Sequence, residues 1–246
     1  MIAISKIVGC GVLLARLSFA MPSFAGHPGS FDLNPRHATP GLRLELKEIP
    51  SSGEQSSRRY ALLTAHYPKD VLFSVYTQDF SDLFIEAAGG FRVDSSGKLV
   101  SSNSGRLQRL EDLEFSPGPY PRGAPWNVAI ASRDRSIMSF ASIIPYPLTA
   151  QSGRCALSLE LLNHRGDRFL ISGKGFSPGE EVSTEVSFDG RIEQKRRLIA
   201  FDGTLPRYVI SHFAIGTDRT AWYAVKGRSC DVVITYEWGK AALIRR

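Results

Sequence analysis

The sequence is poor in the residues and runs that most often mark a function. It has three cysteines, five histidines and three methionines in 246 residues. His27, His37, His66, His164 and His212 all lie far from one another and from cysteine, so no zinc site is encoded locally. No P-loop, dinucleotide fingerprint or nucleophile elbow is read, and Gly173-x-Gly175 lacks the third glycine and following helix of a phosphate cradle. No apolar run approaches the ~20 residues of a membrane-spanning helix. No block of basic residues is present either. The net charge of +6 is spread along the chain, which speaks against nucleic acid as a partner.

What is there begins with an export signal. Lys6 gives a positive start, Ile7 to Ala15 an apolar core, and Ser23-Phe24-Ala25 the small-x-small pattern of a cleavage site. Arg16 shortens the apolar core, and Ser18-Phe19-Ala20 offers a second cut. Ile7-Val8-Gly9-Cys10 allows a rival reading, a lipoprotein acylated at Cys10. Removal of residues 1–25 takes away Lys6 and Arg16 and lowers the net charge to +4. The expected location is secreted or periplasmic.

Cys155 and Cys230 survive cleavage. In an oxidising compartment they are expected to pair, closing a loop of about 75 residues worth on the order of 4 kcal/mol.

Residues 26–41, rich in Gly, Pro and His, read as a flexible leader. From Leu42 the pattern becomes strict alternation: Leu42, Leu44 and Leu46 on one side, Arg43, Glu45 and Lys47 on the other. Short strands are expected at Arg59–Ala65, Val71–Thr77, Leu83–Glu86, Phe91–Val93, Asn127–Ala131 and Ile137–Ile143. The second half continues with Ala156–Leu162, Phe169–Ser172, Val182–Phe188, Arg197–Phe201, Tyr208–His212, Ala221–Val225 and Val232–Trp238. Many short strands between Gly, Pro and Asp turns predict an all-β chain of two β-sandwich domains in tandem, 42–148 and 149–246. Pro145-Tyr146-Pro147 marks the boundary. Ala129-Ile130-Ala131-Ser132-Arg133-Asp134-Arg135 is echoed by Ala214-Ile215-Gly216-Thr217-Asp218-Arg219, which suggests two copies of one module. The first copy carries a long loop at 101–126, with one helical turn expected at Leu107–Leu113.

Gly173-Lys174-Gly175-Phe176-Ser177-Pro178-Gly179-Glu180-Glu181-Val182 resembles the G-x-G-F-x-P-G-E-x-V signature of bacterial extracellular immunoglobulin-like modules. The resemblance implies export, a β-sandwich of immunoglobulin-like type, and adhesion, scaffolding or ligand presentation. Physically, Phe176 can plug the end of a sandwich, and Pro178-Gly179 suits a type II turn.

Three places are candidates for chemistry or binding. In the 101–126 loop, Glu111, Asp112 and Glu114 lie near Tyr120 and Trp126. The rings could stack a sugar, and the acids could bind its hydroxyls or Ca²⁺. The competing reading has Leu107, Leu110, Leu113 and Trp126 anchoring the loop. Ser211, His212 and Asp218 form a nominal triad, but adjacent strand residues face opposite ways. Arg165-Gly166-Asp167 spells an integrin-binding tripeptide, and equally an ordinary turn.

The reading that results is an exported, non-catalytic binding or structural module without a cofactor or metal, acting on a protein or glycan partner. Two alternatives stand beside it. One is a carbohydrate-active enzyme or hydrolase using Glu111, Asp112 or Glu114. The other is an envelope-assembly component that pairs through a sheet edge.

Overall fold

The computed structural model describes residues 33–50, 58–78, 80, 83–103, 106–213, 219–228 and 230–244. The expected export signal with Cys10, and the leader up to residue 32, lie outside the described residues. So does most of the 214–219 echo.

The described chain is all-β, as its alternating pattern predicts, with 3-10 turns and no α-helix. In the first half, β1 (Arg43–Ile49) and β2 (Arg59–Ala65) form a two-stranded antiparallel sheet. β3 (Phe73–Gln78), β4 (Phe84–Val93), β5 (Leu99–Asn103), β6 (Arg106–Arg109), β7 (Trp126–Ser132) and β8 (Met138–Ile143) form a six-stranded sheet in the order β6-β5-β4-β3-β7-β8. Tyr60 and Leu62 of β2 are fully buried, and Tyr60 packs on Trp126 of the larger sheet at 5.6 Å between ring centres. The opposite face of that sheet carries a second, small core of Leu33, Tyr76, Phe84, Ala129, Ala131 and Met138.

That second core corrects one expectation. Residues 33–41, assigned to a flexible leader, are fastened to the sheet. Leu33 is 4% exposed in the small core, and Thr39 exchanges hydrogen bonds with Met138: its N–H donates to Met138 O, and its hydroxyl accepts from Met138 N–H. Pro35–His37 form a 3-10 turn capped by Asn34 Oδ1.

The second half is a sandwich of two four-stranded antiparallel sheets. β9 (Leu148–Ser152), β10 (Cys155–Leu161), β11 (Arg168–Lys174) and β14 (Leu205–Ser211) make one, in the order β14-β11-β10-β9. β12 (Glu181–Phe188), β13 (Arg191–Leu198), β15 (Thr220–Lys226) and β16 (Asp231–Glu237) make the other, in the order β13-β12-β15-β16. Burial alternates along β10 and β16, as the period-two pattern requires: Leu157, Leu159 and Leu161 face Val232, Ile234 and Tyr236 across the core. Cys155 and Cys230 are disulfide-bonded, with Cα atoms 6.3 Å apart, and tie the start of β10 to the start of β16. The bond therefore joins the two sheets.

No described strand of one half pairs with a strand of the other. The halves differ in strand order, six plus two against four plus four, so they are not copies of one arrangement. They nevertheless share one continuous core. The joint is the segment 116–125. Gly123 N–H donates to Tyr146 O (2.7 Å) and Gly123 O accepts from Leu161 N–H (2.8 Å), while Phe80 of the first half meets His164 edge-on at 4.7 Å. The 101–126 loop is shorter than expected, because a hairpin of β5 and β6 takes up its start and a 3-10 turn at Leu110–Asp112 follows.

Candidate functional site

The structure separates the residues of the expected loop site. Tyr120 and Trp126 are 4% and 2% exposed and belong to the core. Tyr120 Oη donates to Pro125 O at 3.1 Å, and its ring stands edge-on to Phe80. Neither ring presents an open face on which a sugar could stack. The acids point outward and are held by cations: Glu111 by Lys98 Nζ and Glu114 by Arg59 Nη1, each at 2.7 Å. Asp112 is exposed. Leu110 and Trp126 do anchor the loop, whereas Leu107, on β6, is 73% exposed.

The signature segment is a connection from β11 to β12. Phe176 is buried at the end of the second sandwich. Gly179 has φ +71°, and Glu180 N–H donates to Ser177 O, closing the turn around Pro178-Gly179. Gly175 has φ +85°, and a Cβ there would lie 2.0 Å from Arg154 O. Gly175-Phe176-Ser177-Pro178-Gly179 also carries the letters G-x-S-x-G of a nucleophile elbow. A strand follows it where a nucleophile elbow needs a helix, and Ser177 Oγ accepts from Arg154 Nη2 at 3.0 Å.

The tripeptide Arg165-Gly166-Asp167 sits on the turn between β10 and β11 with its glycine buried. Gly239 N–H donates to Gly166 O at 2.7 Å, and a Cβ on Gly166 would lie 2.1 Å from Gly239 O. Asp167 accepts from Asn163 Nδ2 at 2.7 Å. The turn is packed against the chain end and does not stand out as a free loop tip.

One cavity opens where the edge strands β13 and β14 meet across the seam of the second sandwich. It has a volume of about 260 Å³. Its apolar wall is Val186, Phe188 and Ile210, and its polar lining includes Arg197, Tyr208, Tyr223 and His212. β14 explains part of this placement. Tyr208, Ile210 and His212 alternate inward while Arg207, Val209 and Ser211 face out. Ser211 also lines the cavity, but among the described residues no hydrogen bond joins it to His212, whose Nε2 pairs with Tyr236 Oη, and Asp218 lies outside the described residues.

His212 is 2% exposed, with Phe188 at 4.6 Å and Trp238 at 5.3 Å between ring centres. Burial lowers its pKa from 6.5 to about 4, against the opposing pull of the Asp167 and Glu193 carboxylates. The imidazole is therefore neutral at neutral pH. Its Nε2 is 2.8 Å from Tyr236 Oη. Opposite, the Arg197 guanidinium lies over the Tyr208 ring, 3.5 Å from its centre. Tyr208 Oη donates to Tyr223 Oη. Burial raises the pKa of both phenols, so both stay protonated. Thr184 Oγ1 donates to Lys195 O at 3.0 Å and fixes β12 to β13 beside them.

No family model matches the chain. No curated protein sequence matches it either. Among solved structures, one described as a tetra-tandem repeat in the extending region of a large adhesion protein aligns with 80% of this chain at 12% identity. The alignment covers 49% of that structure, so the chain spans about half its length, and the TM-score is 0.25. A superposition this loose establishes neither a shared fold nor a shared function. Among the described residues, no helix is long and apolar enough to cross a membrane.

Proposed function

We propose that the chain is an exported binding module, with residues 42–148 and 149–246 as two β-sandwich units behind a cleaved signal at 1–25. It recognises its partner non-covalently. The observation that carries the reading is the seam cavity. Its histidine is held neutral and bonded to a phenol, its phenols are protonated, and its one guanidinium rests on a ring. Such groups orient and hold a ligand; a proton-transfer site at neutral pH needs a group whose pKa lies near 7. The Cys155–Cys230 bond between the two sheets supports an oxidising compartment, periplasmic or extracellular. The likeness of Gly173–Val182 to extracellular immunoglobulin-like modules points the same way.

The sheet-edge alternative has less support. β13 carries Arg191, Lys195 and Arg196 along its exposed edge, and β14 carries Pro206, the residues by which natural sheets discourage edge pairing. The enzyme alternative meets acids already engaged by Lys98 and Arg59.

The test is cell fractionation of the full chain with thiol trapping, followed by incubation with a glycan and peptide-ester panel. The reading expects an oxidised protein outside the cytoplasm that binds without turnover. A reduced cytoplasmic protein, or hydrolysis abolished by His212→Gln, would refute it.

A further inference from the structure

β14 ends its sheet, and no described strand pairs with its outer edge. His212 N–H donates to Asp167 O, and Ile210 lies opposite Phe169 of β11. Backbone groups in an antiparallel ladder turn alternately to the two sides of a strand, so those of Ile210 and His212 face β11. The N–H and C=O groups of Val209 and Ser211, both exposed residues, therefore face the open edge. That edge borders the seam cavity. All five residues from Tyr208 to His212 line it, whereas β12 contributes only Thr184, Val186 and Phe188, and β13 only Glu193, Lys195 and Arg197. Alternate residues mark a strand met on one face; an unbroken run marks a strand met along its edge.

The strand across the seam is bare to match. β13 is exposed at every residue but Arg197, on both of its faces. Glu193 and Lys195 stand opposite Val186 and Thr184 and so lie on the inner face of their sheet, yet the other sheet stops at β14 and leaves them uncovered. The two ends of the cavity differ in chemistry. Phe188, Val186 and Ile210 make one end apolar, while Lys195 and Arg197, the latter over the Tyr208 ring, make the other cationic. Glu193 offsets part of this, with its carboxylate 3.6 Å from Lys195 Nζ, but β13 carries four cations against that one acid. The volume of about 260 Å³ exceeds the ~150 Å³ that holds a benzene ring in an apolar cavity, so one aromatic side chain fits. The β13 cations and Pro206, which discourage pairing with another sheet, flank the open edge. Val209-Ile210-Ser211 itself holds neither charge nor proline.

We infer that the seam is a slot for an extended acidic peptide of a partner protein, added antiparallel to β14 as a fifth strand of its sheet. The peptide backbone exchanges hydrogen bonds with Val209 and Ser211. An apolar side chain enters beside Ile210, against Val186 and Phe188, and a carboxylate two residues later meets Lys195 at the Tyr208 end. Main-chain bonds supply affinity in such an arrangement, and the pockets for alternate side chains supply specificity. This assignment rests on the binding-module reading and names the partner class of its site.

The probe is the capped hexapeptide Thr-Thr-Phe-Thr-Glu-Thr, titrated against the oxidised full chain and followed by amide NMR and hydrogen exchange. Its second and fourth residues fall opposite Ser211 and Val209. Binding is expected with Kd on the order of 1 mM or tighter. In the free protein the Val209 and Ser211 amides should exchange faster than those of Ile210 and His212, and saturating peptide should slow them about tenfold. N-methylation of the second or fourth peptide residue removes an N–H aimed at β14 and should weaken binding about tenfold. N-methylation of Phe or Glu, whose N–H groups face away, should change it by about twofold at most. A peptide with Lys in place of Glu should bind about fivefold more weakly, and Lys195→Glu should abolish that preference. Ser211→Pro deletes one outward N–H and no bond to β11, and should weaken binding about fivefold; the N-methyl series on the wild type reads the same bond should that variant not fold. No binding of the acidic peptide, an N-methyl series without a two-residue period, or Val209 and Ser211 amides already protected before peptide is added, as by a second copy of this chain, would each overturn the slot. Export and oxidation are measured separately, so such a failure removes the slot and leaves the module reading standing.

Discussion

Lowering the pH should destabilise this fold through His212 in a way that can be isolated from every other group. The imidazole has a folded-state pKa of about 4 against 6.5 for the free side chain. Between those values the unfolded chain binds a proton that the folded chain refuses, so stability is complete above pH 6.5 and falls as pH drops toward 4. Working the two binding polynomials from pH 7.5 to pH 4.5 gives a loss of about 2.5 kcal/mol. In urea that corresponds to a fall of about 1 M in the midpoint, for a slope of about 2–3 kcal/mol/M. Asp94, Asp134 and Asp202 also lose stabilising bonds on protonation, since hydroxyls of Ser96, Ser132 and Thr204 lower their pKa values, but their losses fall below the ordinary carboxylate range. The assay is urea unfolding of wild type and His212→Gln at several pH values in that interval, with the disulfide intact. The wild-type midpoint should slope and the variant's should be nearly flat, whatever its absolute stability. A flat wild-type profile, or a slope retained in the variant, refutes the burial argument. A direct NMR titration placing the imidazole pKa near 6.5 would do the same.

Reducing the Cys155–Cys230 bond, or replacing both cysteines with alanine, should cost on the order of 4 kcal/mol for a separation of 75 residues, read as a drop in the urea midpoint. Within the signature turn, Gly175→Ala and Gly179→Ala should differ. Both glycines have positive φ, at about 1–2 kcal/mol for a side chain, but Gly179 faces open space while a Cβ at Gly175 collides with Arg154 O. Gly175→Ala should therefore be clearly the worse in thermal melts, and equal melts would contradict the packing. Trp126→Ala should cost about 3–5 kcal/mol as a core deletion. A variant that lost ligand binding at unchanged stability would show instead that Trp126 is a surface platform.

The alternating strands were legible because burial on one face writes itself into every second residue. β10, β12, β15 and β16 follow the expected ranges to within about two residues. Strands without a buried face left no such mark. β13, Arg191-Ile192-Glu193-Gln194-Lys195-Arg196-Arg197-Leu198, is exposed along nearly its whole length, and sequence periodicity places a strand at Arg197–Phe201 in its stead. β6 and the end of β5 fall inside the expected 101–126 loop, and β4 reads as two strands, 83–86 and 91–93, because Gly89-Gly90 interrupts its apolar residues. The loop site failed for a related reason. Trp126 and Tyr120 in a Pro-rich stretch read as an exposed platform, yet nothing in their spacing distinguishes a ring aimed at solvent from one aimed at Tyr60 or Phe80. The seam cavity was half visible. His212 stood out, but Arg197 and Tyr208 approach it only because β13 and β14 end two different sheets on the same side of the sandwich, a consequence of strand order that residue spacing does not record.

The segment 116–125 has a consequence for how the molecule responds to load. Gly123 is hydrogen-bonded on one side to the Tyr146 carbonyl and on the other to Leu161, and a Cβ on it would press on Leu148 and the Leu159 carbonyl. A span of chain that belongs to the first unit is thus wedged into the second. Separating the units means tearing this wedge from a shared interior, so heat or force applied to one should be transmitted to the other, and the pair should give way in a single event instead of two.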